Sequence, residues 1–296
     1  MAILYSFIIA HKNTPALLER CLNSIPEREN IEIIVVDDNS DETKKPKTNH
    51  SRARIIYLDQ KESKWAGHAR NIGMKQASGK WLLFPDADDF YLDNFLDVLD
   101  QYADKNIDIL FFNIDSVDSE TLQPTNRNEL LQELHKKYDR AKDVLDALKY
   151  RMHGNWFKMF QRDFIINNNI FFEEVIKGND TLFSFLTGYL AQNIAVDHRS
   201  LYVLTYHKES MSFTKKRPIE SYLCPLESKL KINAFLDFVG HPEWKTKRSM
   251  FRNLLGVFGK RGLAMGCQFA IAIVKTARER NLARNKYVEL VKNRIK

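Results

Sequence analysis

Over the first 115 residues, short apolar runs alternate with longer stretches of helical periodicity. Residues 3–10, 32–37, 54–58, 80–85 and 107–112 read as strands, and 14–24, 66–77 and 93–102 between them read as helices. This is βαβ logic, and it predicts an α/β fold with a largely parallel central sheet covered by helices. In such sheets ligands gather at the carboxyl ends of the strands, so the residues just past each apolar run carry the first functional interest. Residues 116–150 are polar and lack strong strands, which predicts a surface excursion with a helix near 140–149. From Trp156 a strand-like run leads to a short helix, then to Phe171-Phe172, a helix beginning near Asp180 and a β-rich stretch over 201–206. After about Lys215 the pattern is helical to the end, with no repeat, low-complexity tract or glycine-rich linker.

Composition changes this picture little. At 296 residues, 44% hydrophobic and 28% charged, the chain resembles ordinary globular protein. Cys21, Cys224 and Cys267 are far apart and form no C-x-x-C pair, so neither a zinc site nor a disulfide framework is expected and a reducing, cytoplasmic setting fits. The apolar opening 1–10 has no basic leader or cleavage site before His11 and Lys12 and reads as the first strand, not a signal peptide. The N-x-S/T triplets at Asn49 and Asn179 carry little weight without such a signal.

Charge is uneven. From His241 onward there are 14 Lys/Arg against 3 Asp/Glu, so the net +7 resides in the tail. Residues 262–274 form an apolar stretch of about 13 residues where a spanning helix needs about 20. Such a tail suits an anionic membrane surface, and it equally suits a core helix packed on the rest of the chain. The readings are compatible.

Candidate chemistry lies at two strand ends. The run Ile33-Ile34-Val35-Val36 ends in Asp37-Asp38-Asn39-Ser40, and adjacent carboxylates there face a polar ligand or solvent because burial is costly. The plain alternative is a turn with capping residues. Trp81-Leu82-Leu83-Phe84 runs into Pro85-Asp86-Ala87-Asp88-Asp89, where carboxylates two residues apart suit a hard cation such as Mg²⁺ or Mn²⁺. A bare D-x-D is common by chance.

The order of motifs is more specific. Asp37-Asp38, then Gly67-His68-Ala69-Arg70-Asn71-Ile72-Gly73, Gly79-Lys80-Trp81 and Asp86-Ala87-Asp88-Asp89 closely resemble the nucleotide-sugar half of family 2 glycosyltransferases with the GT-A fold. Asn155-Trp156-Phe157-Lys158-Met159-Phe160 and Gly178-Asn179-Asp180-Thr181-Leu182-Phe183 resemble that family's acceptor half. The resemblance implies a catalytic region over residues 1–215, divided near 115 into donor and acceptor halves, and a basic helical region over 216–296.

It further implies an inverting transfer from a nucleotide-sugar donor to a glycan or lipid-linked acceptor, aided by Mn²⁺ or Mg²⁺. Asp38, with Asp37, would accept the base N–H, in a turn that Ala10 and Lys12 complete. Asp86 would sit by ribose or metal, and Asp88 would bind the cation. Arg70 would contact the donor or fix Asp86, its plain reading being a structural salt bridge. Asp180 would be the general base. Asn179 stands where the family carries Glu, and Trp65-Ala66-Gly67-His68 departs from the usual glycine- and proline-rich lead. His207 follows the last strand, where relatives often carry Arg or His near the diphosphate.

Rival readings are a nucleotidyltransferase, which normally has a glycine-rich phosphate loop that residues 10–15 lack, and a non-enzymatic binder working through the basic tail. Nucleic acid is not expected as a partner, because no RNP-like, zinc or helix-turn-helix pattern is present. A cytoplasmic setting, free or peripheral on the inner face of the membrane, is the expectation.

Overall fold

A computed structural model describes residues 2–58, 63–138, 142–206, 220–238, 240–245 and Cys267. The apolar runs become strands β1 (Tyr5–His11), β2 (Ile31–Asp37), β3 (Ala53–Tyr57) and β4 (Trp81–Leu83). Helices α1 (Pro15–Asn23) and α2 (Trp65–Gln76) connect them as the periodicity predicts. Every residue of β2 except Glu32 is buried, as expected for a strand covered on both faces. Then come β5 (Phe90–Tyr91), α3 (Phe95–Asp100), β6 (Ile109–Asp118), α4 (Glu129–Lys137) and α5 (Lys142–Tyr150). The remainder is β7 (Lys158–Gln161), α6 (Arg162–Asn167), α7 (Thr181–Leu190), β8 (Ile194–Tyr206) and α8 (Glu220–Phe238).

The eight strands form one sheet in the order β3-β2-β1-β4-β7-β6-β8-β5. The block β3-β2-β1-β4 is parallel, and β6 pairs with β8 in parallel. Strand β7 enters antiparallel between β4 and β6, and β5 pairs antiparallel with β8. The sheet is therefore mixed, with flanking helices on a parallel half.

Close approach fixes the parallel half. A Cβ on Gly79 would lie 2.5 Å from Ser6 Oγ and 2.8 Å from the Ser6 backbone nitrogen, so only glycine lets this turn lie against β1. A Cβ on Gly73 would meet Ile8 Cγ2 at 2.5 Å, so glycine lets α2 lie against β1 there, and Gly67, Ala69, Asn71 and Met74 are buried with it.

The excursion expected over 116–150 is more structured than its polarity suggests. β6 continues to Asp118, and α4 buries Leu131 and His135. β8 begins at Ile194 because a bulge opposite Phe111–Asn113 takes Asp197-His198-Arg199 out of the ladder, letting charged residues interrupt a buried strand.

The chain divides into two compact units, Met1–Val175 with Phe183–Phe213, and Ile176–Leu182 with Thr214–Lys296. In the second, α8 buries Leu223, Leu226, Ile232, Ala234, Phe235 and Leu236. Among the described residues no helix is long and apolar enough to cross a membrane. The apolar stretch 262–274 lies outside the described residues apart from Cys267.

Candidate active site

The first unit gathers its carboxylates at the carboxyl ends of β2, β1 and β4, which are neighbours in the sheet. Asp37 closes β2 opposite His11 of β1. Its Oδ1 lies 2.7 Å from His11 Nδ1 and accepts from Ser40 Oγ at 2.6 Å, while Oδ2 accepts from the Ser40 N–H at 3.1 Å. Asp37, 1% exposed, organises the turn, and Asp38, 3% exposed, turns toward the loop before α2. The two carboxylates expected to face ligand or solvent are therefore both buried, their cost offset by the hydrogen bonds each accepts.

Asp38 accepts from Ser63 Oγ, from the Lys64 N–H at 3.0 Å and from the Trp65 N–H at 2.9 Å. These N–H groups begin α2, so Asp38 caps that helix across 26 residues of sequence. Trp65 holds φ +70°, a conformation costly for a bulky residue and stabilised here by that carboxylate. Lys12 Nζ donates to the Asp38 carbonyl at 3.2 Å, and Ala10, half-buried, is the penultimate residue of β1, paired with Val36 of β2.

Beyond β4, Asp86, Asp88 and Asp89 each offer an oxygen within 4.8 Å of the others. Their surroundings give them different work. Asp86 Oδ1 is paired with Arg70 Nη2 at 2.5 Å. Asp89 is 1% exposed, and both its oxygens accept from β8, Oδ2 from Tyr202 Oη at 2.8 Å and Oδ1 from the Thr205 N–H at 2.7 Å. Burial, with the charges of Asp88 and Asp86 alongside, pushes the Asp89 carboxyl well above the usual carboxylate range, against the pull of those two hydrogen bonds. Asp89 therefore braces the loop from inside, and Asp86 and Asp88 are the half-buried pair at its rim.

The loop backbone is equally fixed. The Asp88 carbonyl accepts from Arg20 Nη2 and from Thr205 Oγ1, both at 2.7 Å, and the Asp86 N–H donates to Tyr202 Oη at 2.9 Å. Arg20 also reaches the Ser119 carbonyl at 3.0 Å. Oxygen donors held by a rigid frame fit a hard divalent cation, so Asp88 with Asp86 suits Mg²⁺ or Mn²⁺.

Arg20, Tyr202 and Thr205 were not singled out from the sequence. Their only signal was position, Arg20 on the helix after β1 and the other two in the last β-rich run. Asp180 belongs to the second unit, half-buried immediately before α7, with the Thr181 N–H bonded to the Gly178 carbonyl at 3.2 Å. His207 lies outside the described residues.

Comparison with known proteins gives these features a context. The family described as "Glycosyl transferase family 2" matches residues 6–168, more than half of the chain. A GalNAc(5)-diNAcBac-PP-undecaprenol beta-1,3-glucosyltransferase of Campylobacter jejuni is 31% identical over 184 residues, covering 59% of this chain and 56% of that protein. The poly(ribitol-phosphate) beta-N-acetylglucosaminyltransferase TarS of Staphylococcus aureus is 24% identical over 229 residues, 74% of this chain and 38% of that protein. The chain thus spans 56% and 38% of the lengths of these two relatives. The crystal structure of TarS 1–349 with UDP-GlcNAc superposes with TM-score 0.66 at 20% identity, covering 98% of this chain and 92% of that one. At that identity the likeness establishes the α/β GT-A type of fold.

Proposed function

The chain belongs to glycosyl transferase family 2, and from that premise we propose that it transfers a sugar from a UDP-sugar to an acceptor hydroxyl with inversion at the anomeric carbon. The observation that carries this reading is the set of carboxylates on the edge formed by β2, β1 and β4, with the Asp86-Ala87-Asp88 loop locked by Arg20, Arg70, Tyr202 and Thr205. Such an edge is where open α/β sheets bind nucleotides. Solved TarS structures in complex with UDP-GlcNAc and with UDP support a uridine donor.

In this reading residues 1–215 form the catalytic region. Asp38, beside Lys12 and Ala10, accepts an N–H of the base. Asp88, with Asp86, would hold Mn²⁺ or Mg²⁺, which when bound would neutralise charge gathering on the leaving diphosphate. Arg70 keeps Asp86 in place. Asp180 takes the proton from the acceptor hydroxyl as that oxygen bonds to the anomeric carbon, and the bond to the diphosphate breaks on the opposite face.

Relatives named for undecaprenol-linked glycan and poly(ribitol-phosphate) support an acceptor in bacterial surface polysaccharide or glycan synthesis. The basic tail would hold the protein at an anionic membrane, and flotation with anionic but not neutral liposomes tests that. The central experiment is a screen of UDP-, GDP- and dTDP-sugars for Mn²⁺-dependent binding and hydrolysis. Mn²⁺-dependent turnover of a UDP-sugar is expected. No binding of any nucleotide sugar, with or without Mn²⁺, would overturn the proposal.

A further inference from the structure

The turns that follow β1 and β2 are stitched together by a closed ring of hydrogen bonds. His11 and Asp37 are ladder partners at the ends of the two strands, and both are buried, as is Ser40. The Thr14 N–H donates to His11 Nε2 at 3.2 Å. A main-chain N–H can only donate, so Nε2 carries the lone pair and the imidazole proton sits on Nδ1. That proton faces Asp37 Oδ1 at 2.7 Å, and the same oxygen accepts from Ser40 Oγ at 2.6 Å. Ser40 Oγ in turn accepts the Asn13 N–H at 2.8 Å. Because Asn13 and Thr14 are consecutive, the ring closes, and the network assigns every donor and acceptor in it.

What the ring holds is the entrance to two loops. Each turn carries an asparagine with positive φ, Asn13 at +61° and Asn39 at +60°, a conformation that needs support from its surroundings. Asn13 also spans the two turns directly, accepting the Asp41 N–H on Oδ1 at 2.8 Å and donating from Nδ2 to Asp41 Oδ2 at 3.2 Å. Between these fixed points lie Lys12 and Asp38. The Asp38 N–H donates to the His11 carbonyl at 2.9 Å, and Lys12 Nζ donates to the Asp38 carbonyl. A buried imidazole has only two nitrogens, and here both are committed in a fixed sense. Without them the Asp37 carboxylate and the Thr14 N–H would each lose a partner.

We propose that His11, held as its Nδ1-protonated tautomer, is a positioning residue that sets Asp38 and Lys12 for the nucleotide base and so determines selectivity for uracil. The proposal rests on Asp38 accepting the base N–H. Two measurements test it. Nitrogen-15 NMR of histidine-labelled protein without nucleotide should show an imidazole protonated on Nδ1 and not on Nε2, whose signal disappears in His11→Phe. Calorimetry should show that His11→Phe, which keeps a ring but neither bond, lowers UDP affinity about 10-fold, the scale of one hydrogen bond held out of place. The loss should be equal with and without Mn²⁺, and the preference for UDP over CDP should narrow, because cytosine lacks the ring N–H that a carboxylate reads on uracil. His11→Asn, whose amide nitrogen can replace Nδ1 toward Asp37, should recover part of both.

An Nε2-protonated His11, unchanged UDP affinity in His11→Phe, a loss seen only with Mn²⁺, or a loss that leaves the UDP-over-CDP preference intact would each overturn the positioning role. Wild-type protein that shows the tautomer and binds no nucleotide would instead remove the base-pocket reading, and this proposal with it. Should His11→Phe not fold, Ser40→Ala, which removes the acceptor of the Asn13 N–H and one donor to Asp37, enters the same calorimetry. It should lower UDP affinity and the preference over CDP together, and wild-type values would overturn the proposal.

Discussion

Tyr202→Phe removes one oxygen and tests whether the acidic loop is braced from inside. The hydroxyl accepts the Asp86 N–H at 2.9 Å and donates to Asp89 Oδ2 at 2.8 Å, while the ring packs on Tyr91 and Trp156. Phenylalanine keeps the ring contacts, so the variant isolates the two hydrogen bonds. A hydrogen bond to a buried carboxyl is worth about 1–3 kcal/mol depending on its charge, and an orphaned buried N–H costs about 1–3 kcal/mol. Partial relaxation of the loop brings the expected loss of stability to about 2–4 kcal/mol. For a chain of this size that lowers Tm by roughly 3–7 °C. Urea unfolding followed by circular dichroism measures the loss of stability, with Tyr57→Phe as control, since the hydroxyl of half-exposed Tyr57 donates to the Pro46 carbonyl at 2.8 Å where water can substitute. If the loop holds the cation, the ratio of UDP affinities with and without Mn²⁺ should also fall. A Tyr202→Phe protein within about 0.5 kcal/mol of wild type, the range of a neutral surface change, would show that the hydroxyl is no brace.

The remaining expectations concern the site and one buried histidine. Asp88→Ala should abolish the Mn²⁺ dependence of nucleotide binding and leave the fold intact, and unchanged affinity with Mn²⁺ present would remove the metal assignment. Asp38→Ala should weaken nucleotide binding by about 1.5–3 kcal/mol with or without metal. It should also raise hydrogen exchange at the start of α2, because the capping bonds to Lys64 and Trp65 are lost; calorimetry showing a loss only with metal would misplace the base pocket. Asp180→Asn should lower kcat by about 10²–10⁴-fold with little change in donor affinity, and retention of anomeric configuration by NMR would exclude direct displacement. Burial, then the charge of His198, lowers the His135 pKa to about 4 from 6.5. With the folded value depressed, its stability contribution is complete above pH 6.5 and is lost as pH falls toward 4, by about 3 kcal/mol at about 1.4 kcal/mol per unit. A His135→Phe variant should lack that part of the pH dependence in urea melts, and an identical profile for both proteins would refute it.

The sequence by itself determined the strands β1 to β4, because their apolar runs and the helical periodicity between them are local signals. It also located Asp37, Asp38, Asp86 and Asp88 at strand ends, since chain polarity in a βαβ unit places those ends on one edge. It did not reveal the antiparallel insertion of β7, the bulge that lets β8 carry Asp197 to Arg199, or the burial of α4, each of which depends on partners distant in sequence. Within the site, three neighbouring aspartates look alike as residues. Only tertiary structure gives Asp89 to Tyr202 and Thr205, 113 and 116 residues away, and the Asp88 carbonyl to Arg20, and it makes the pair of Asp86 with Arg70 that the motif order offered as one of two readings. A residue's type sets which bonds it can make. Which of them it makes, and so whether a carboxylate is a brace or faces a ligand, is set by where the fold buries it and which donors arrive beside it.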